Sequence, residues 1–111
     1  MRVTYNKLIR DRIPEIIEAD GQRPVTRRLE EDDFRAALLA KLVEEAREAE
    51  NASGDELAGE LADVWEVLQA LLGALALSGQ ELEALAASKR GERGGFGRRI
   101  FLEYTEPAGS Q

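Results

Sequence analysis

The chain contains no cysteine and no histidine. Without cysteine there is no disulfide framework and no thiolate chemistry. Without histidine there is no Ser-His or Cys-His nucleophile system and no His-ligated zinc. Carboxylate, lysine, tyrosine, hydroxyl and metal-bound water remain for chemistry. Aromatics are scarce as well: three Phe, two Tyr and one Trp in 111 residues. Leu, Ala, Val and Ile must therefore fill any core. Long hydrophobic runs are also missing. Leu68 to Leu77 falls short of the about 20 apolar residues that span a bilayer, and the start, MRVTYNKLIRDR, does not read as a secretory leader. The expectation is cytoplasmic residence with no membrane partner. A net charge of −7 argues against a nucleic-acid polymer as partner, because phosphate contacts dominate that affinity. It leaves room for a nucleotide if metal ions neutralise the site locally.

What is present favours helices: 43% apolar residues, rich in Leu and Ala, and 33% charged. The length fits one domain, read as residues 1–106 with a frayed tail from Pro107 to Gln111. A short helix is expected over Ile13–Asp20, with Pro14 in its first turn and Gly21 at its C′ position. A second runs from Glu31 or Asp32 to Asn51, with Phe34, Leu38, Leu42, Ala46 and Ala49 facing inward. Ser53 and Glu56 form a capping-box pattern for a third, Asp55–Leu77. Its main stripe reads Leu57, Leu61, Val64, Leu68, Leu71, Leu75. A fourth is expected over Gly79–Arg90, ended by Gly91. Alternation suggests short strands at Pro24–Leu29 and Ile100–Tyr104. The predicted fold is mainly α: an oligomeric helical bundle with a small two-stranded β element.

The stretch KLVEEAREAENASGDELAGELAD, Lys41 to Asp63, organises the rest. At 100° per residue, Lys41, Glu44, Glu45 and Glu48 share a narrow arc of the second helix. Glu56, Glu60 and Asp63 share one on the third, bordering its apolar stripe. If the stripes pack, the acids converge at the edge of the core. Like-charged i,i+4 pairs destabilise a helix by about 0.2–0.5 kcal/mol each, and desolvation adds to that. Lys41 offsets part of the repulsion, and a hard divalent cation such as Mg²⁺ would offset more. A solvated acidic face on an ordinary bundle has the same composition. The spacing adds two i,i+3 pairs, Glu45/Glu48 and Glu60/Asp63, on consecutive helices.

EEARE followed by ELAD resembles the EExxE…ExxD signature of the MazG-like all-α nucleoside triphosphate pyrophosphohydrolases. The gap, Ala49 to Gly59, is at the short end of that family's pattern. YNKLIRDRIPEII near the start and ERGGFGRRIFLE near the end resemble two further blocks of one branch. The resemblance implies Mg²⁺-dependent cleavage between the α and β phosphates (Mn²⁺ as a substitute), giving a nucleoside monophosphate and pyrophosphate. House-cleaning of non-standard nucleotides is one role it would serve. On this reading Glu45, Glu48, Glu60 and Asp63 are metal ligands. Glu44 binds a second ion or orients the attacking water, and Lys41 contacts phosphate or holds the acids. Lys7 and Arg10 in the first block, and Arg93 and Arg98 in the last, become substrate-binding candidates, although basic residues there equally serve solubility or a solvated Gly-rich loop. Phosphoribosyl-ATP pyrophosphohydrolase is the related alternative. A non-catalytic helical dimer that binds metal or nucleotide is the alternative from another class.

Assembly is expected as well. The third helix is apolar beyond its main stripe, through Ala58, Ala62, Trp65, Leu72 and Ala76. Two copies would close a four-helix bundle, so a homodimer or higher homo-oligomer is predicted. The resemblance implies the same, with pockets near the subunit contact.

Overall fold

A computed structural model of the chain describes residues 1–109. Ser110 and Gln111, the end of the expected tail, lie outside the described residues. The helices are α1 (Ile13–Ala19), α2 (Glu31–Asn51), α3 (Gly54–Ala74) and α4 (Gly79–Arg93). The chain divides into two compact units, Met1–Gly79 and a second that begins at Gln80. Among the described residues no single helix is long and apolar enough to cross a membrane.

Local signals set the helix ends. Pro14 sits in the first turn of α1, where a missing N–H costs nothing. Gly21, at φ +86°, closes it: its N–H donates to the Glu18 carbonyl, and the Gln22 N–H donates to that of Ile17. Glu31, Asp32 and Asp33 crowd the first turn of α2, where the helix dipole favours anions. The Glu56 carboxylate reaches back to the Ser53 N–H at 3.3 Å and starts α3. α3 stops at Ala74, three residues before the expected Leu77. The Ala76 N–H donates to the Gly73 carbonyl and the Leu77 N–H to that of Leu72, which requires a left-handed Ala76 at φ +53°. In the second unit α4 runs through Gly91 to Arg93, past the expected end. Gly94, at φ +82°, takes the closing role instead, donating to the Arg90 carbonyl at 2.8 Å.

α2 and α3 pack as a hairpin over the short link Ala52–Ser53. Leu38 joins Val67 and Leu71 in the core, and two turns further along α2 Glu45 meets Glu60 and Asp63, so the register is antiparallel. Leu8, Phe34, Leu42, Ala70 and Ala74 complete this small core. Truncating Leu38, the most buried of them, to Ala should cost about 2–5 kcal/mol.

Two expectations need correction. The buried side of α3 is Val67 and Leu71, while Leu57, Leu61 and Leu75 of the expected stripe stay exposed, as does Ala46 of the expected inward face of α2. At 100° per residue the leucines of α3 share one arc of about 100°, but α2 packs at the edge of that arc, where Val67 and Leu71 lie with Ala70 and Ala74. The two-stranded element also fails to form: among the described residues Pro24–Leu29 and Ile100–Tyr104 contain no strand. Alternation assigns faces, but a strand also needs a neighbour for its backbone groups, and Pro24 has no N–H to offer.

Candidate metal centre

The antiparallel hairpin brings carboxylates from two helices to one point. One oxygen each from Glu45, Glu60 and Asp63 lie within 4.8 Å of one another. Glu45 is 7% exposed, the one buried charged residue among those described. Its Oε2 and the Oε2 of Glu60 are buried without a hydrogen-bond partner. Such atoms normally find partners, because an unpaired buried acceptor costs about 1–3 kcal/mol or more when charged. Burial pushes the Glu45 carboxyl above its ordinary pKa, the charge of Glu48 and then Asp63 adds to the rise, and Lys41 opposes it. Glu48 thus lies close enough to act on Glu45, yet it is exposed and stands outside the group of three.

Cations surround the acids. Lys41 Nζ lies 3.4 Å from both Glu44 Oε2 and Glu45 Oε1. The segment before α1 supplies two more. Asn6 adopts φ +46°, a left-handed conformation that Asn tolerates. Leu8 then packs on the core. This anchor puts Lys7 Nζ 3.3 Å from Glu44 Oε2 and Arg10 Nη2 2.6 Å from Asp63 Oδ1. Burial pushes the Glu44 carboxyl upward, but hydrogen bonds and charge from Lys7 and Lys41 outweigh it and hold the pKa below its ordinary value. Glu44 is therefore ionised and positioned, and a poor proton acceptor.

Beside the acids lies a cleft of about 290 Å³. Leu8, Ile9, Phe34, Leu38, Val67 and Ala70 form its apolar lining, and Arg10, Lys41, Glu45 and Asp63 contribute charge. Asp11 and Glu66 line it too, and the sequence reading did not single them out. For Glu66 a signal existed: it continues the i,i+3 series Glu60, Asp63. A smaller hollow of about 110 Å³ is lined by Lys7, Lys41 and Glu44 with Asn6, Leu8, Ala37 and Ala40. Arg93 ends α4 and Arg98 lies in the following loop; both are exposed residues of the second unit.

The donor set fits a hard divalent cation. Three carboxylates with two unpartnered buried oxygens supply the oxygen ligands that Mg²⁺ or Mn²⁺ prefers.

No family model matches the chain, and no solved structure matches it. Among curated proteins, an uncharacterized protein of Mycolicibacterium smegmatis is 57% identical over 42 residues, 38% of this chain. The chain spans 43% of that relative's length.

Proposed function

We propose that the protein is a Mg²⁺-dependent nucleotide pyrophosphohydrolase that cleaves the α–β phosphoanhydride and releases a nucleoside monophosphate and pyrophosphate. The observation that carries this reading is the group Glu45, Glu60 and Asp63, with its unpartnered buried oxygens beside a cleft of about 290 Å³. The volume is near the lower end for small-ligand pockets, about 300 Å³. Glu45, Glu60 and Asp63 hold the ion, and Glu48, whose charge acts on Glu45, is the further candidate ligand. When bound, Mg²⁺ supplies positive charge to the phosphoryl oxygens and activates water. The chain itself does the positioning, which is most of what phosphoryl transfer requires. Glu44, ionised between Lys7 and Lys41, orients the attacking water. Lys7, Arg10 and Lys41 bring positive charge to the phosphates. The apolar lining offers a surface for a base. The bond choice rests on the resemblance of the acidic motif, since the geometry alone does not select it.

Phosphoribosyl-ATP as substrate is less favoured. Asp11 and Glu66 line the cleft, and like charge there disfavours a second phosphate-bearing group. A nucleotide panel that includes phosphoribosyl-ATP tests this. Preference for ordinary or modified triphosphates supports the reading, and preference for phosphoribosyl-ATP replaces it.

The same reading takes the protein as a homodimer in the cytoplasm. Leu39 and Val43 are each two residues from Lys41, and Leu61 and Trp65 each two from Asp63. At 100° per residue all four point about 160° away from those charged side chains. All four are exposed, Trp65 to 63%. A second hairpin laid on that flank would complete a four-helix bundle with the acidic side left open.

A further inference from the structure

Arg10 and Asp63 make the closest contact between the N-terminal segment and the acids, 2.6 Å from Nη2 to Oδ1. Asp63 is also one of the three carboxylates gathered across α2 and α3. Arg10 lines the same cleft as Glu45 and Asp63. Glu45, 7% exposed, adds an unpartnered oxygen to that group. We infer that Arg10 is the resident counter-cation of this centre and sets its metal affinity, because a divalent ion must displace or loosen the guanidinium to occupy it. This rests on the metal-centre part of the proposed function.

The argument is electrostatic and holds for either oxygen of Asp63. An ion on Oδ1 competes for the atom that Arg10 uses. An ion on the other oxygen would stand beside a guanidinium on the same carboxylate, and like charges at such range repel. The segment carrying Arg10 is held by Leu8 on the core and by Lys7 on Glu44. Metal occupancy is therefore linked to the hold on residues 7–12, and linkage is reciprocal: what loosens Arg10 favours the ion, and the ion loosens Arg10. A displaced Arg10 remains beside the cleft, where it can turn to a phosphate.

The coupling is modest. The side chains of Arg10 and Asp63 are 55% and 40% exposed, so solvent screens the pair. Calorimetric titration with MnCl₂ at low ionic strength, without nucleotide, tests the inference. Arg10→Ala should bind Mn²⁺ about two- to fivefold more tightly than wild type. Arg10→Lys, which keeps the charge, should stay near wild type. In wild type, Mn²⁺ should speed amide hydrogen exchange across residues 7–12. Unchanged or weaker Mn²⁺ binding by Arg10→Ala, or slower exchange of that segment, would overturn the inference. Failure of both wild type and Arg10→Ala to bind Mn²⁺ would overturn it together with the metal centre. The predicted Arg10 effect in a protein that turns over no nucleotide would support it and overturn only the pyrophosphohydrolase reading.

Discussion

Lys41 and Glu45 stand one turn apart on α2, with the ammonium 3.4 Å from Oε1 of the glutamate, while Oε2 of the same carboxylate is buried without a partner. One ammonium thus serves two carboxylates, and one oxygen of Glu45 is left without a hydrogen bond. The raised pKa of Glu45 has the same origin: burial first, then the charge of Glu48. Removing the charge should stabilise the metal-free protein. Glu45→Gln is expected to gain about 1 kcal/mol, or ~4–8 °C in melting temperature for a domain of this size. Lys41 keeps Glu44 as a partner, which limits the loss on the other side. Thermal melts in EDTA measure the gain, and millimolar Mg²⁺ should raise the wild type but not the variant.

The advantage of that variant should depend on pH. The folded-state pKa of Glu45 lies above its value in the unfolded chain, so the folded protein binds the proton more tightly. The penalty from Glu45 is therefore full at neutral pH and fades as pH falls through the folded pKa toward the ordinary value of 4.5. Glu44 behaves oppositely: its lowered pKa contributes stability above 4.5 that is lost on further acidification. The melting-temperature difference between Glu45→Gln and wild type in EDTA should shrink as pH falls from neutral through the folded pKa to the ordinary value of 4.5. A difference that grows over that range would put the Glu45 shift in the wrong direction.

Ala76 closes α3 in a left-handed conformation that costs a residue with a Cβ about 1–2 kcal/mol. Glycine removes that strain but gains freedom in the unfolded chain, an opposing effect of about 0.4–1 kcal/mol. Ala76→Gly should thus stabilise by about 0.5–1 kcal/mol, and Ala76→Val should destabilise. Urea midpoints at constant m-value measure both.

These effects divide into what local pattern reveals and what it hides. Gly21, Pro14 and the Ser53–Glu56 pair mark helix ends by local chemistry, and the structure uses them so. The acids Glu45, Glu60 and Asp63 were legible because i,i+3 spacing on consecutive helices brings them together once the hairpin is antiparallel. The packed side of α3 was not legible. Leucines at 57, 61, 68, 71, 72 and 75 share an arc of about 100°, yet the partner helix packs at the edge of that arc, on Val67 and Leu71, and leaves Leu57, Leu61 and Leu75 exposed. The contacts of Lys7 with Glu44 and of Arg10 with Asp63 join positions 37 and 53 residues apart, beyond any local periodicity. Gly91 looked like a helix end because glycine permits one, but it does not require one.

The exposed flank of the hairpin predicts an oligomer. Trp65→Asp would bury an unpaired charge in the proposed contact and should convert the dimer to monomers. Light scattering at micromolar concentration reads this directly. The wild-type melting temperature should also rise with protein concentration. A monomeric wild type would leave Leu61 and Trp65 as solvent-facing residues and remove the four-helix bundle from the account.

The most direct test is the product balance of a single reaction. Purified protein is incubated with a panel of nucleoside triphosphates and Mg²⁺, with no pyrophosphatase present, and the products are separated by chromatography. The account predicts monophosphate and pyrophosphate in equal amounts from at least one nucleotide, abolished by EDTA and by Asp63→Asn. Diphosphate with orthophosphate as the first products, or an Asp63→Asn variant as active as wild type, would contradict it.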